Sequence, residues 1–176
     1  MATLIEELVQ DRHDQGTYYT SLEVVRFMAQ KSLEKRYGAT PSVKQLLEVK
    51  VIDPACGSGA LLLGIAEEAF QLTRTARLSL SNIEYKLHLV ENCLYGIDLE
   101  QASLDVTQTR FWYWLNNGEL HPNSFDDGNL VQGNSVTGSN PQEECQDIGF
   151  EFRTQFSKIF ITDSPGFDIV IANPPY

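Results

Sequence analysis

The chain has 176 residues, 42% of them apolar, enough for one domain with a real core. Its 13 lysines and arginines against 24 aspartates and glutamates give a net charge of −11, the opposite of the basic footprint of a surface that wraps nucleic acid. The amino terminus has no basic segment followed by an apolar one, and no apolar run could span a bilayer, so nothing addresses the chain to a membrane or to export.

In chain order, residues 12–20 form a polar, glycine-bearing loop ending in Thr20-Ser21-Leu22-Glu23, a capping-box pattern that predicts a helix from Ser21. Val24 with Met28 and Val25 with Ala29 recur four apart, Gly38 and Pro41 supply the stop near Tyr37, and the stripe should pack on the sheet. Val49 to Asp53 reads as a strand, and a glycine loop then opens a helix from about Ala60 to Thr73. Ser81-Asn82-Ile83-Glu84 repeats the capping box and predicts a helix to about Glu91, followed by a strand over Cys93 to Ile97 that Asp98 ends. Residues 101–116 have helical character and carry Phe111-Trp112-Tyr113-Trp114, expected to pack in the core or against an absent domain; Asn116-Asn117-Gly118 breaks the helix. Leu130 to Gln132 predicts a third strand, and the polar stretch from Thr137 to Gly149 a mobile loop. Phe152, Phe156 and Ile159 then recur at helical spacing before a fourth strand, Phe167 to Ala172. Alternating strands and helices predict a right-handed, mostly parallel α/β sheet of about four strands with helices on both faces.

Two motifs carry chemistry. In Asp53-Pro54-Ala55-Cys56-Gly57-Ser58-Gly59 the glycines let the backbone approach a ligand closely and expose helix-start amides. The dinucleotide fingerprint is not matched: residue 62 is leucine where it wants glycine, and Asp98 lies 39 positions after Gly59 where it wants an acid about 20 on. Asp53 is either a helix cap or an anion facing a cofactor's ammonium group. Asp98, at the end of the second strand, can accept the hydroxyls of an adenosine ribose. The second motif, Asn173-Pro174-Pro175-Tyr176, follows the fourth strand, where two prolines force the backbone out of the ladder. There Asn173 and the Pro174 carbonyl can accept hydrogen bonds from an exocyclic amine while Tyr176 stacks on a planar base. Cysteines at 56, 93 and 145 and three histidines show no metal-ligand spacing; the cysteines read as free thiols of a reducing cytosol, and the chain as cytoplasmic.

In these motifs the chain resembles the amino-terminal catalytic part of a DNA adenine-N6 methyltransferase of the restriction-modification type. Thr17-Tyr18-Tyr19-Thr20, Asp53 to Gly59, Asp98 and Asn173 to Tyr176 stand in that family's order. The resemblance implies a Rossmann-like class I S-adenosylmethionine-dependent methyltransferase fold, divided into an amino-terminal helical segment with the cofactor loop (1–48) and the methyltransferase core (49–176). It implies S-adenosylmethionine held at its methionine end by Thr17, Tyr19, Thr20, Asp53, Ala55 and Gly57 and at its ribose by Asp98. Asn173, Pro174 and Tyr176 are then the catalytic group for a flipped adenine in duplex DNA, and no metal is required. Asn134 stands where the family commonly has an acid, and it joins the cofactor group as a departure.

Nothing follows Tyr176, whereas the family continues with further strands and a DNA-reading region. The expectation is therefore a truncated domain, inactive alone, whose fourth strand leaves an apolar edge open to self-association. Alternatives from other classes are a methyltransferase acting on release-factor glutamine or ribosomal RNA guanine, and a non-catalytic scaffold or subunit of the same fold. The Thr-Tyr-Tyr-Thr loop ahead of the glycine motif favours DNA adenine.

Overall fold

The computed structural model describes residues 20–74, 80–117, 125, 128–137 and 150–174. Helices α1 (Leu22–Tyr37) and α2 (Val43–Glu48) lead into β1 (Val51–Asp53). Helices α3 (Ala60–Thr73) and α4 (Asn82–Asn92) precede β2 (Leu94–Asp98), and α5 (Gln101–Leu115) precedes β3 (Leu130–Gln132). Two single-turn helices, α6 (Phe152–Gln155) and α7 (Ser157–Phe160), lead to β4 (Ile169–Val170). The strands form one parallel sheet in the order β3-β2-β1-β4, the α/β architecture that the alternation of elements predicts. β2 and β4 lie on either side of β1, so the strand order reverses at β1, the position beyond whose carboxyl end open α/β sheets hold ligands.

Side-chain alternation splits the sheet into two faces. Val51, Leu94 and Leu130 point into a large core with Val25, Ala29 and Leu33 of α1, Leu62, Ile65 and Ala66 of α3, Tyr85 and Leu89 of α4, and Phe111 and Leu115 of α5. Ile52, Tyr95, Ile97 and Val131, one residue along each strand, point to the other face, into a cluster with Phe150, Phe156 and Ile159. Tyr95, Phe156 and Phe167 meet there edge to face, with centroids 5.3 to 5.7 Å apart. The aromatic run of α5 divides: Phe111 is buried, Trp114 donates from Nε1 to Glu67 Oε2 at 2.6 Å, and Tyr113 is exposed. Lys86 of α4 is buried beneath it, donating to the Trp114 carbonyl and to Asn117 Oδ1, both at 2.8 Å, and burial lowers its pKa.

Several expectations shift by a residue or a partner. The stripe of α1 is Val25, Ala29 and Leu33, with Val24 exposed, and it lies chiefly against α3, not the sheet. Gly64 permits this close approach, since a Cβ there would overlap Val25 Cγ1. The cap of α1 is Ser21, whose Oγ accepts from Val24 N at 3.4 Å, so the capping box does not use Thr20. Helix α2 was not anticipated, although Ser42 and Gln45 form a complete capping box. The fourth strand pairs over two residues only, because it has one hydrogen-bonded neighbour among the described residues. Its register is nevertheless pinned. Asp168 accepts from Arg36 of α1 at 2.7 Å and from Lys50 N at 2.9 Å, and Ile171 N donates to Ile52 O at 2.9 Å. The expected mobile loop, apart from Thr137, lies outside the described residues. Cys56 and Cys93 are buried free thiols. No described helix is long and apolar enough to cross a membrane.

Candidate functional site

The loop between β1 and α3 is shaped by two glycines that lie in the left-handed region, Gly57 at φ 54° and Gly59 at φ 72°. A Cβ on Gly59 would stand 2.5 Å from Thr107 Cγ2, so this glycine is required twice over. A Cβ on Gly57 would meet nothing within 4 Å, so that side of the loop has room for a ligand.

The loop is held from β2 and α5. Cys56 N donates to the Ile97 carbonyl at 2.9 Å, and Gly57 N donates to Asp98 Oδ2 at 2.8 Å. Thr107, fully buried, donates from Oγ1 to the Gly57 carbonyl at 2.9 Å. Arg110 Nη1 donates to the Ser58 carbonyl at 2.9 Å and to Ser58 Oγ at 3.0 Å. From the turn after β3, Ser135 Oγ donates to the Pro54 carbonyl at 2.6 Å. Sequence reasoning missed Thr107, Arg110 and Ser135. The available signal was Thr107 and Arg110, three apart on one face of α5, beside the buried Leu104 and Phe111. Arg110→Met is expected to lower stability by about 1 kcal/mol and to speed amide exchange at Ser58 and Gly59. Unchanged exchange at these two amides would rule out the clamp.

The acids lie where the sequence puts them. Asp53 is 2% exposed, its Oδ1 accepts from Ala55 N at 3.1 Å, and burial, with the charge of Asp98, pushes its pKa up to about 7. Such a group is an anion held short of a countercharge. Asp98 accepts from Gly57 N through Oδ2 and from Glu100 N at 3.0 Å through Oδ1. A carboxylate has about four lone-pair sites, so each oxygen keeps one for a hydroxyl donor.

Beyond β4, Asn173 Nδ2 donates to Thr20 Oγ1 at 2.9 Å, joining the end of the fourth strand to the entry of α1. Asn134 has its Oδ1 engaged locally, accepting from Val136 N at 3.1 Å and Thr137 N at 3.2 Å, a turn that presents Ser135 to the loop. The structure thus gathers Asp53, Ala55, Gly57 and Asp98 in one cluster and brings Thr20 to Asn173, with Pro174 next in the chain. Thr17, Tyr19 and Tyr176 lie outside the described residues. No group of three or more potential metal ligands occurs among the described residues.

A parallel sheet of order 3-2-1-4 with a glycine loop after β1, an acid after β2 and Asn-Pro after β4 is a Rossmann-like methyltransferase fold. Residues 92–176 match the model of the Eco57I restriction-modification methylase family. The chain is similar to the type II restriction enzyme and methyltransferase RM.MjaORFECS2P, so assigned in Methanocaldococcus jannaschii, at 24% identity over 62% of this chain and 10% of that protein. It is also similar to the adenine-specific methyltransferase PglX of Lacticaseibacillus casei, at 29% identity over 65% of this chain and 10% of that protein. Among solved structures it resembles the Type ISP restriction-modification enzyme LlaGI, with a TM-score of 0.60 and 16% identity over 97% of this chain and 14% of that one. The chain therefore spans about a tenth of the length of the curated relatives it matches.

Proposed function

We propose that this chain carries the cofactor site and the amine-holding turn of a DNA adenine-N6 methyltransferase in a restriction-modification system, with S-adenosylmethionine as methyl donor. The observation that carries this reading is the hydrogen bond from Asn173 to Thr20, which joins the segment after β4 to the residue that leads into α1. The match of residues 92–176 to the Eco57I restriction-modification methylase model and the likeness to an adenine-specific methyltransferase support the substrate class.

The residues suit the cofactor. The buried carboxylate of Asp53 gains a countercharge from an ammonium group, the open side of Gly57 leaves room for a close approach, and Asp98 has lone pairs left for ribose hydroxyls. Thr17, Tyr19, Thr20 and Ala55 complete the holding of the methionine end, with Asn134 at the rim. When bound, S-adenosylmethionine supplies an electrophilic methyl group on a sulfonium. Asn173 Oδ1 and the Pro174 carbonyl accept the two N–H bonds of the target amine, so its lone pair is left directed out of their plane, toward the methyl donor. Tyr176 stacks on the extruded base. Positioning and these two acceptors, which strengthen as the amine gains positive character, supply the acceleration.

The test is expression of the full reading frame that contains these residues in a host without adenine methylation, followed by mapping of modified bases. N6-methyladenine at a defined site is expected. Methylation confined to release factor or ribosomal RNA, or no methylation by a folded protein that binds the cofactor, would contradict the reading.

A further inference from the structure

An asparagine amide has two faces, and only one suits an amine. Its carbonyl accepts from N–H, whereas its own NH2 would repel the target. The position of Asn173 alone does not choose between them, because the residue is exposed beyond a strand of two paired residues. What distinguishes the faces is Thr20, whose Oγ1 takes the hydrogen bond from Nδ2 at 2.9 Å and leaves Oδ1 turned the other way.

Both ends of that bond are anchored. Thr20 precedes α1, which packs against α3 at Gly64 and is tied by Arg36 to Asp168 at the start of β4. Asn173 lies two residues past Ile171, whose N–H is bonded to Ile52. Helix capping is done by Ser21, so the Thr20 hydroxyl is not engaged by the helix.

A hydroxyl has one hydrogen and two lone pairs. While that hydrogen is uncommitted, Thr20 can rotate and donate to Asn173 Oδ1, which admits the flipped amide. Once the hydrogen is donated to a carboxylate, Thr20 can only accept, and Asn173 must offer it Nδ2. We infer that Thr20 is a positioning residue that sets the orientation of the Asn173 amide, and that the amino-acid carboxylate of the cofactor locks it, so that the amine-accepting orientation becomes fixed only when the cofactor binds. This rests on the reading above, which puts the cofactor's methionine end at Thr20.

The experiment follows the Asn173 side-chain NH2 signals, identified by their loss in Asn173→Ala, in the nitrogen-15 spectrum of the folded chain. S-adenosylhomocysteine is the probe, and 5′-methylthioadenosine, which lacks the amino-acid carboxylate, is its control. S-adenosylhomocysteine should shift these signals and slow their exchange with water in the native protein and in Thr20→Ser. The response should be lost in Thr20→Val, and methylthioadenosine should bind without producing it. Binding of S-adenosylhomocysteine with the same response in Thr20→Val, or the response with methylthioadenosine, overturns the inference and leaves the cofactor reading intact. A folded native chain that binds neither compound in calorimetry overturns both.

Discussion

Asp53→Asn is expected to stabilise the ligand-free protein above pH 7 and at the same time to weaken cofactor binding at least tenfold. The asparagine keeps the shape of the side chain and an oxygen for the Ala55 amide, but removes a charge that burial disfavours. The pKa of Asp53 is raised on folding, from 3.8 to about 7. Below the lower value both folded and unfolded chains are protonated and the group has no effect. As pH rises toward 7 the unfolded chain ionises first, so stability falls, and above 7 the loss is complete. Its ceiling is roughly 4 kcal/mol, so a gain of about 1–3 kcal/mol for the variant at pH 8 is expected, vanishing near pH 4. Thermal melts across this range read it directly. An ammonium group bound beside Asp53 reverses the shift, so cofactor binding below pH 7 should release a proton in the native protein and not in the variant. Calorimetry in buffers of different ionisation enthalpy measures that proton. A variant that melts lower than the native chain at pH 8, or releases the same proton, would contradict the assignment.

Gly59→Ala should be the most destabilising single methyl group in the loop. It holds an L side chain at φ 72°, which costs about 1–2 kcal/mol, and drives it into Thr107 at 2.5 Å, overpacking that costs about 1–3 kcal/mol more. Thr107 is fully buried and bonded to the Gly57 carbonyl, so its displacement also breaks one of the loop's ties to α5. Gly57→Ala is the internal control. It has the same backbone sign, φ 54°, but no neighbour for its Cβ, so only the backbone cost of about 1–2 kcal/mol applies. Its methyl group occupies the open side of the loop, and cofactor affinity should fall although the fold survives. Urea denaturation of the two variants, with cofactor titration of Gly57→Ala, separates a packing glycine from a ligand-facing one. Equal stability loss at the two positions would refute that division.

Elements governed by local chemistry were legible in the sequence. The Ser81 and Glu84 box, the helix from Ala60 to Thr73 and the strand Leu130–Gln132 appear where periodicity and capping place them. Errors arise where two local solutions compete, or where the partner is distant. Thr20 and Ser21 both offer a cap, and it is Ser21 that accepts from the first turn. The stripe of α1 was assigned to the sheet because periodicity gives a face but not its partner. At the site, the motif residues carry their own signal, whereas Thr107, Arg110 and Ser135 act on backbone carbonyls of the loop, which have no side-chain identity to match. The contact of Asn173 with Thr20 likewise joins the two ends of the described chain and has no local signature.

The central claim is that the loop, Asp53 and Asp98 form an S-adenosylmethionine site. Calorimetric titration of the purified chain with S-adenosylmethionine, beside a folded Asp98→Ala variant, tests it most directly. Saturable one-to-one binding, lost or greatly weakened in the variant, is the predicted result. A folded native chain that binds no cofactor, or binding equally tight without the Asp98 carboxylate, would contradict it.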